Sequence, residues 1–346
     1  MSIKWTAGIA ALVLVGAAAC SSGDDGNGGA DAPAPSADAP EDTAATDAGG
    51  ADAAVDVTAL PVGDGKITTD DPQVGYLCTT QPTDGTGAEI QGPWFNGDGT
   101  FNAEAKYVVE GAVEWPSELD VTVEGDTRVL TTNNLPSHAT GEYPVDRDTE
   151  AGSIDANPSD ITAQSYTIEL PANPTLADEP TCPGGEAGLL LTGVVLNIGI
   201  DAAGRDAVAW EVQDSCEGHP HGGGVYHYHS VTDCVDDTAS DGHSDLVGYA
   251  LDGFGIFGHL GEDGEVLTNE DLDECHGHTH EIEWDGETVE MYHYHATYEF
   301  PYTIGCFRGS EVNPQTLMTT GAGDTQVGGE QPPGGEQQPG GSPPSP

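Results

Sequence analysis

The chain has 346 residues, with 7 Lys+Arg against 60 Asp+Glu and a formal net charge of −53. A polyanion of this kind cannot neutralise phosphates and is repelled by anionic lipid, which excludes nucleic acid as a partner and limits membrane attachment to covalent or hydrophobic means. The 49 Gly and 24 Pro point to a loop-rich chain, yet 36% hydrophobic residues are enough for a core if they are concentrated in one part of it. Such a surface attracts cations.

Residues 1–20 read as an export signal: Lys4 supplies the positive start, 7–16 form a short apolar run, and Ala17, Ala18 and Ala19 lead into Cys20. The run is too short to serve as a stable bilayer-spanning anchor. Small residues directly before a cysteine resemble the lipobox of bacterial lipoproteins. That resemblance implies lipidation of Cys20 and an exported chain held at the cell envelope or cell surface by its lipid. Residues 21–72 are dominated by Ala, Asp, Gly, Pro, Ser and Thr without hydrophobic periodicity, and are expected to be a disordered acidic tether.

The expected folded domain spans 73–309. Five of the basic residues fall there (Lys106, Arg128, Arg147, Arg205 and Arg308), together with most of the acids. Alternating or β-branched runs at 107–113, 119–123, 128–132, 166–170 and 189–200 are separated by Gly, Pro, Asn and Asp clusters. No amphipathic helix of more than three turns is evident. The expectation is an all-β fold, mainly antiparallel and sandwich-like, with long loops. Residues 310–346, with an imperfect Gly-Gly-Glu-Gln-Pro repeat, are expected to be a disordered tail.

Apart from Cys20 there are six cysteines, an even set that outside the cytoplasm reads as a disulfide framework. None forms a C-x-x-C pair, so metal chemistry falls to histidine and carboxylate. Eight of the 12 histidines sit in two matching blocks. The first is Asp214-x-Cys216-x-Gly218-His219-x-His221, a spacer, then Tyr226-His227-Tyr228-His229. The second is Asp273-x-Cys275-x-Gly277-His278-x-His280, a longer spacer, then Tyr292-His293-Tyr294-His295. Cys234 and Cys306 follow them, so the blocks occupy 214–234 and 273–306. Repetition at this level of detail signals a duplicated unit. It also pairs Cys216 with Cys234 and Cys275 with Cys306, leaving Cys78 with Cys182.

Residues two apart on a strand share a face, so each H-x-H presents two imidazoles together while the tyrosines point the other way. Four such pairs in a duplicated frame point to a transition-metal site for Cu²⁺ or Zn²⁺. The expected ligands are first His227, His229, His293 and His295, then His219, His221, His278 and His280. The acidic surroundings are expected to raise the proton affinity of these imidazoles, so that metal is lost at a higher pH than from an exposed histidine. A Ca²⁺ site in the acid-rich stretch 262–274 stays open, without EF-hand spacing.

The blocks resemble the YHYH family of secreted bacterial proteins, a likeness running from about 134 to 309. It is carried by Tyr226 to His229, Tyr292 to His295, the segments 134–141, 246–254 and 272–275, and Phe300-Pro301-Tyr302 to Cys306. The resemblance implies a fold and a site but no reaction. Gly253, Gly255 and Gly258 fit G-x-G-x-x-G, yet no helix-forming segment follows and a dinucleotide site is rejected. Asp252, at the end of an apolar run, is a weak candidate for a general base or a support to a histidine site. His138, His243 and His259 are isolated in sequence and are expected to be surface or turn residues. Three functions follow: an exported metal-binding lipoprotein for sequestration or delivery, a metal-dependent extracellular hydrolase or oxidase, or a structural or adhesion module without metal. Metal ions are the expected partner, the membrane is reached through the lipid only, and protein partners are left open.

Overall fold

The computed structural model describes residues 55–63, 76–80, 85, 87–235 and 242–312. The signal, Cys20 and most of the tether and tail lie outside the described residues. In chain order the strands are β1 (Leu60–Pro61), β2 (Thr100–Phe101), β3 (Leu119–Glu124), β4 (Thr127–Thr132), β5 (Tyr166–Pro171), β6 (Leu176–Thr181), β7 (Glu186–Leu190) and β8 (Val195–Asn197). There follow β9 (Gly218–Pro220), β10 (Tyr226–Tyr228), β11 (Leu246–Ala250), β12 (Gly255–Phe257), β13 (Gly277–Trp284), β14 (Glu287–His295) and β15 (Phe307–Gly309). The α-helices among the described residues are short, α1 (Glu150–Ile154) and α2 (Ala207–Trp210). The fold is all-β and mainly antiparallel, as the alternating runs imply.

Three of those runs become β3, β4 and β5, an antiparallel sheet in which Leu130, Tyr166, Ile168 and Leu170 are buried. This sheet lies against a second one of eight strands. Arg128 places its guanidinium 4.5 Å from the Tyr249 ring centre and 4.7 Å from that of Trp284, and pairs with Asp285. Asn134 donates to the Tyr226 carbonyl and accepts from the Val195 N–H.

Two runs depart from the expectation. Residues 107–113 form no strand, only single bridges from Val109 to Asp214 and from Val113 to Thr140. Gly111 between them adopts φ +146°, which interrupts the ladder. The run 189–200 is a hairpin rather than one strand, because Gly193 turns at φ +88° between β7 and β8. The tether expectation also needs correction. Leu60 is buried and Leu60–Pro61 pairs with Thr100–Phe101, since an apolar Ala-Leu-Pro-Val stretch interrupts its polar composition.

The eight-stranded sheet has the order β13-β14-β12-β11-β7-β8-β10-β9. Read from the centre, where Leu189 pairs with Tyr249, its halves mirror one another. Gly188 pairs with Ala250 and Leu190 with Gly248, as a local two-fold requires. Each half contains a hairpin, a parallel crossover (β8 to β10, β12 to β14) and an antiparallel outer pair (β10 with β9, β14 with β13). The positive-φ glycines match, Gly193 with Gly253 and Gly204 with Gly264. The duplication therefore begins at β7 and β11, well before the histidine blocks. The glycine run 253–258 is the turn and strand of the second hairpin, with no helix behind it.

Candidate metal centre

The scaffold of each block uses every motif residue except histidine. Asp214 Oδ1 accepts hydrogen bonds from the Cys216 N–H (2.9 Å), the Gly218 N–H (3.2 Å) and the Tyr226 hydroxyl (3.0 Å). Asp273 Oδ1 accepts from the Cys275 N–H (2.9 Å), the Gly277 N–H (3.2 Å) and the Tyr292 hydroxyl (2.9 Å). Glycine is required at 218 and 277 because a Cβ there would run into the ring of Tyr226 or Tyr292. The disulfides Cys216–Cys234 and Cys275–Cys306 close the blocks, and Cys78–Cys182 is the third pair.

The second tyrosines point the same way as the first. Tyr294 donates to Asp252 Oδ2 at 2.6 Å, and Tyr228 donates to Thr192 Oγ1 at 3.2 Å. Asp252, fully buried, also accepts from the N–H groups of Phe254, Arg308 and Gly309. Its carboxylate thus joins the tyrosine side of β14, away from the imidazoles, and the base or support role considered for it is corrected to a structural one. It is a hub for three backbone donors and a phenol.

The second block gathers five imidazoles. His278 lies directly across from His293 in the β13–β14 ladder, and the ligand atoms of His243, His278, His280, His293 and His295 all fall within 4.8 Å of one another. Nε2 of His243 is 3.2 Å from that of His293 and 3.0 Å from that of His295. Nε2 of His280 is 3.0 Å from that of His278 and 3.1 Å from that of His293. On four of the rings Nδ1 faces a carbonyl: Ser244 for His243 (2.7 Å), Glu281 for His280 (2.9 Å), Met291 for His293 (3.0 Å) and Gly258 for His295 (2.7 Å). A carbonyl only accepts, so each Nδ1 carries a proton, and in the neutral tautomer this fixes, Nε2 presents a lone pair. Lone pairs converging at about 3 Å repel unless a cation lies between them. The Phe257 ring forms an apolar wall, with centroids 4.9 Å from His293 and 5.0 Å from His243.

The first block gathers three imidazoles and a carboxylate. His219 pairs with His227 across β9 and β10, and ligand atoms of His219, His227 and His229 lie within 4.8 Å of one another. All three rings are buried. Nδ1 of His229 donates to the Ile198 carbonyl (2.7 Å), the counterpart of the Gly258 contact in the other half, and Nδ1 of His227 donates to Val225 (3.2 Å). Asp206 caps α2 through the Ala209 N–H and accepts from Tyr302, and the chain leaving that single turn carries Glu211 inward. Glu211 Oε2 is 3.3 Å from Nε2 of both His219 and His229. These contacts are angled outside hydrogen-bond geometry, leaving Glu211 Oε2 and His219 Nε2 buried without a hydrogen-bond partner. His221 is half-buried at the rim, its ring centre 5.3 Å from that of His227.

Burial, more than surface charge, sets the protonation of these rings. Burial and the neighbouring imidazoles lower His278 to about 4. Burial, only partly opposed by the Met291 carbonyl, lowers His293 to about 2, and burial with the charge of His293 holds His295 well below the ordinary range. His227 and His221 are likewise lowered, first by burial and then by their neighbours. The expected general rise is therefore corrected. Among the ring shifts described, only His219 moves up: burial pushes it down, but Glu211, Asp155 and Asp214 outweigh that. Burial alone would raise Glu211, yet His219 and His229 hold it well below the usual carboxylate range.

The structure thus collects seven of the eight block histidines in two groups. His243 and Glu211 were not anticipated. His243 stands alone in sequence, and no spacing rule links it to 278–295. Glu211 did carry a signal, as an acid inside the otherwise apolar run 207–212. The other isolated histidines do different work. His138 meets the Tyr228 hydroxyl at 2.5 Å, and His259 stacks on Tyr298. His276, buried at φ +77°, braces the end of β14 through the His295 carbonyl and Asn269.

The family model described as YHYH protein matches residues 167–265. The matched segment runs from β5 through β12 and includes Tyr226 to His229, stopping before the second block. No curated protein and no solved structure matches the chain.

Proposed function

We propose that this is an exported, lipid-anchored protein that binds a transition-metal ion, Cu²⁺ or Zn²⁺, for sequestration or delivery. The observation that carries this reading is the convergence of Nε2 atoms in the second block, with neighbours along the series His295, His243, His293, His280 and His278 standing 3.0–3.2 Å apart and all five within 4.8 Å, and with four Nδ1 atoms committed to carbonyls. Four nitrogens around a tetrahedral ion at about 2.0–2.1 Å stand roughly 3.3 Å from one another, close to the spacing found. Carbonyl-anchored imidazoles are also the usual way of orienting a ligating ring. Five donors exceed the three that a catalytic zinc site uses beside its open position, which favours holding an ion over activating water on it. The half-buried His243, His278 and His280 leave the ion a route from solvent, and a net charge of −53 draws cations toward it. Three disulfides accord with an oxidising compartment, and a lipid on Cys20 would be the proposed anchor.

The test is the metal content of the full chain, purified without a polyhistidine tag or chelator and measured by plasma emission after dialysis against Zn²⁺ or Cu²⁺. The double variant His293→Ala/His295→Ala should lose bound metal while its disulfides still form. Full metal content in that variant would favour the purely structural reading.

A further inference from the structure

We propose that the first block is a second and separate metal site, in which His219, His227, His229 and Glu211 offer three nitrogens and one oxygen to a divalent ion of the zinc type. The inference rests on the metal-binding reading of the duplicated unit, but it does not need the second block to hold an ion.

Three observations carry it. The three rings are buried together, and two of them are oriented by carbonyls so that Nε2 faces inward. Glu211 Oε2 sits 3.3 Å from two of those nitrogens, yet both it and His219 Nε2 lack a hydrogen bond. Glu211 is held there only by ion pairs that need a protonated ring, and a divalent ion between Oε2 and the three Nε2 atoms would take the place of that proton with more charge. Finally, the sites cannot share an ion. They lie toward opposite edges of the eight-stranded sheet, with β12, β11, β7 and β8 between β14 and β10. Five inter-strand steps of about 4.8 Å make roughly 24 Å.

The two halves have also diverged in chemistry. The extra donor of the second site, His243, comes from the segment before β11, whereas Glu211 comes from the exit of α2 in the first half. An all-imidazole site and a site with a carboxylate rank metals differently, because oxygen donors suit harder ions and nitrogen alone suits copper and zinc. The protein would then hold two ions by different donor sets within one duplicated frame.

Zn²⁺ titration of the untagged full chain tests this, with stoichiometry and stepwise affinities read by competition with a chromophoric chelator. The native chain should bind two ions. Glu211→Gln should weaken one of the two steps by at least about tenfold, as loss of a ligand or its support does, and leave the other unchanged. His227→Ala should remove the same step, and it replaces the first variant if Glu211→Gln does not fold; peptide maps of the three disulfides report folding. A single step that His293→Ala/His295→Ala removes and that Glu211→Gln and His227→Ala leave unchanged would overturn the inference while the proposed function stands. A single step lost in Glu211→Gln or His227→Ala but indifferent to the other double variant would support the first site and overturn the assignment to the second.

Discussion

Acidification separates a buried all-imidazole site from a surface cluster of histidines. An exposed imidazole with the ordinary value of about 6.5 is protonated about ten to one at pH 5.5, so each such ligand costs a metal site about tenfold in affinity there. Four exposed ligands would therefore cost about 10⁴ between pH 7.5 and 5.5. In the second block burial lowers His278 to about 4 and His293 to about 2, and it keeps His295 well below the ordinary range. The charges facing them are His243 and His280, with Glu265 and Asp271 acting weakly on His278. A lowered value means a ring that is still neutral at pH 5.5, so these three donors bring no proton competition. These three donors therefore contribute none of the roughly 10³ that three exposed ligands would lose over the same interval. The assay is chelator competition at pH 7.5, 6.5 and 5.5 on the His219→Ala/His227→Ala background, which removes the first site. A fall of about 10³ or more would show that the imidazoles titrate as exposed groups and would refute the argument. In the first block His227 is lowered in the same way, and His219 is the exception. Glu211, Asp155 and Asp214 raise His219 against its burial, so protons displace metal there at a higher pH.

Other outcomes follow from the scaffold. Asp252→Ala leaves the Tyr294 hydroxyl and the N–H groups of Phe254 and Gly309 without their acceptor, while the Arg308 N–H keeps the Tyr294 oxygen; at about 1 kcal/mol or more each this should cost about 3 kcal/mol. A denaturant midpoint close to that of the native chain would contradict the structural role. Gly277→Ala forces a Cβ against the His293 carbonyl and the Tyr292 hydroxyl end and should destabilise by about 1–3 kcal/mol, measured by urea unfolding; an unchanged midpoint would show that the β13–β14 pair gives way without cost. Cys20→Ser should release the protein from the membrane fraction, and unchanged fractionation would remove the proposed anchor.

The parts of this fold most legible in the sequence are those written with period two. The runs at 119–123 and 166–170 become strands whose apolar residues alternate with polar ones along one face, while 128–132 is a strand by its β-branched residues and buries Arg128, Leu130 and Thr132 on one side. The run 189–200 misled because periodicity does not show where a chain reverses, and Gly193 supplies the turn. The wider duplication was legible in principle. Gly188-x-x-Leu191-x-Gly193 repeats as Gly248-x-x-Leu251-x-Gly253, sixty positions on by subtraction. The histidine blocks stand fifty-nine apart by the same subtraction, from Asp214 to Asp273, so a one-residue shift between hairpin and block hides the continuity. His243 could not be read at all, because it reaches its partners through a fold contact rather than a spacing.

The duplicated frame also separates what packing demands from what it leaves over. Asp214 and Asp273, Gly218 and Gly277, and Tyr226 and Tyr292 make the same hydrogen bonds and close contacts in both halves, with distances agreeing to about a tenth of an ångström. Thr192 and Asp252 occupy matching turn positions and both accept from the second tyrosine, so that position tolerates a change of chemistry while keeping an acceptor. None of these contacts involves a side-chain nitrogen of His219, His227, His278 or His293. A frame that needed only stability would accept valine or threonine on that buried, β-branched-friendly surface at less desolvation cost than imidazole. Burying such rings in two places, each time with Nε2 turned toward its neighbours, has an energetic rationale once a cation supplies the missing partner.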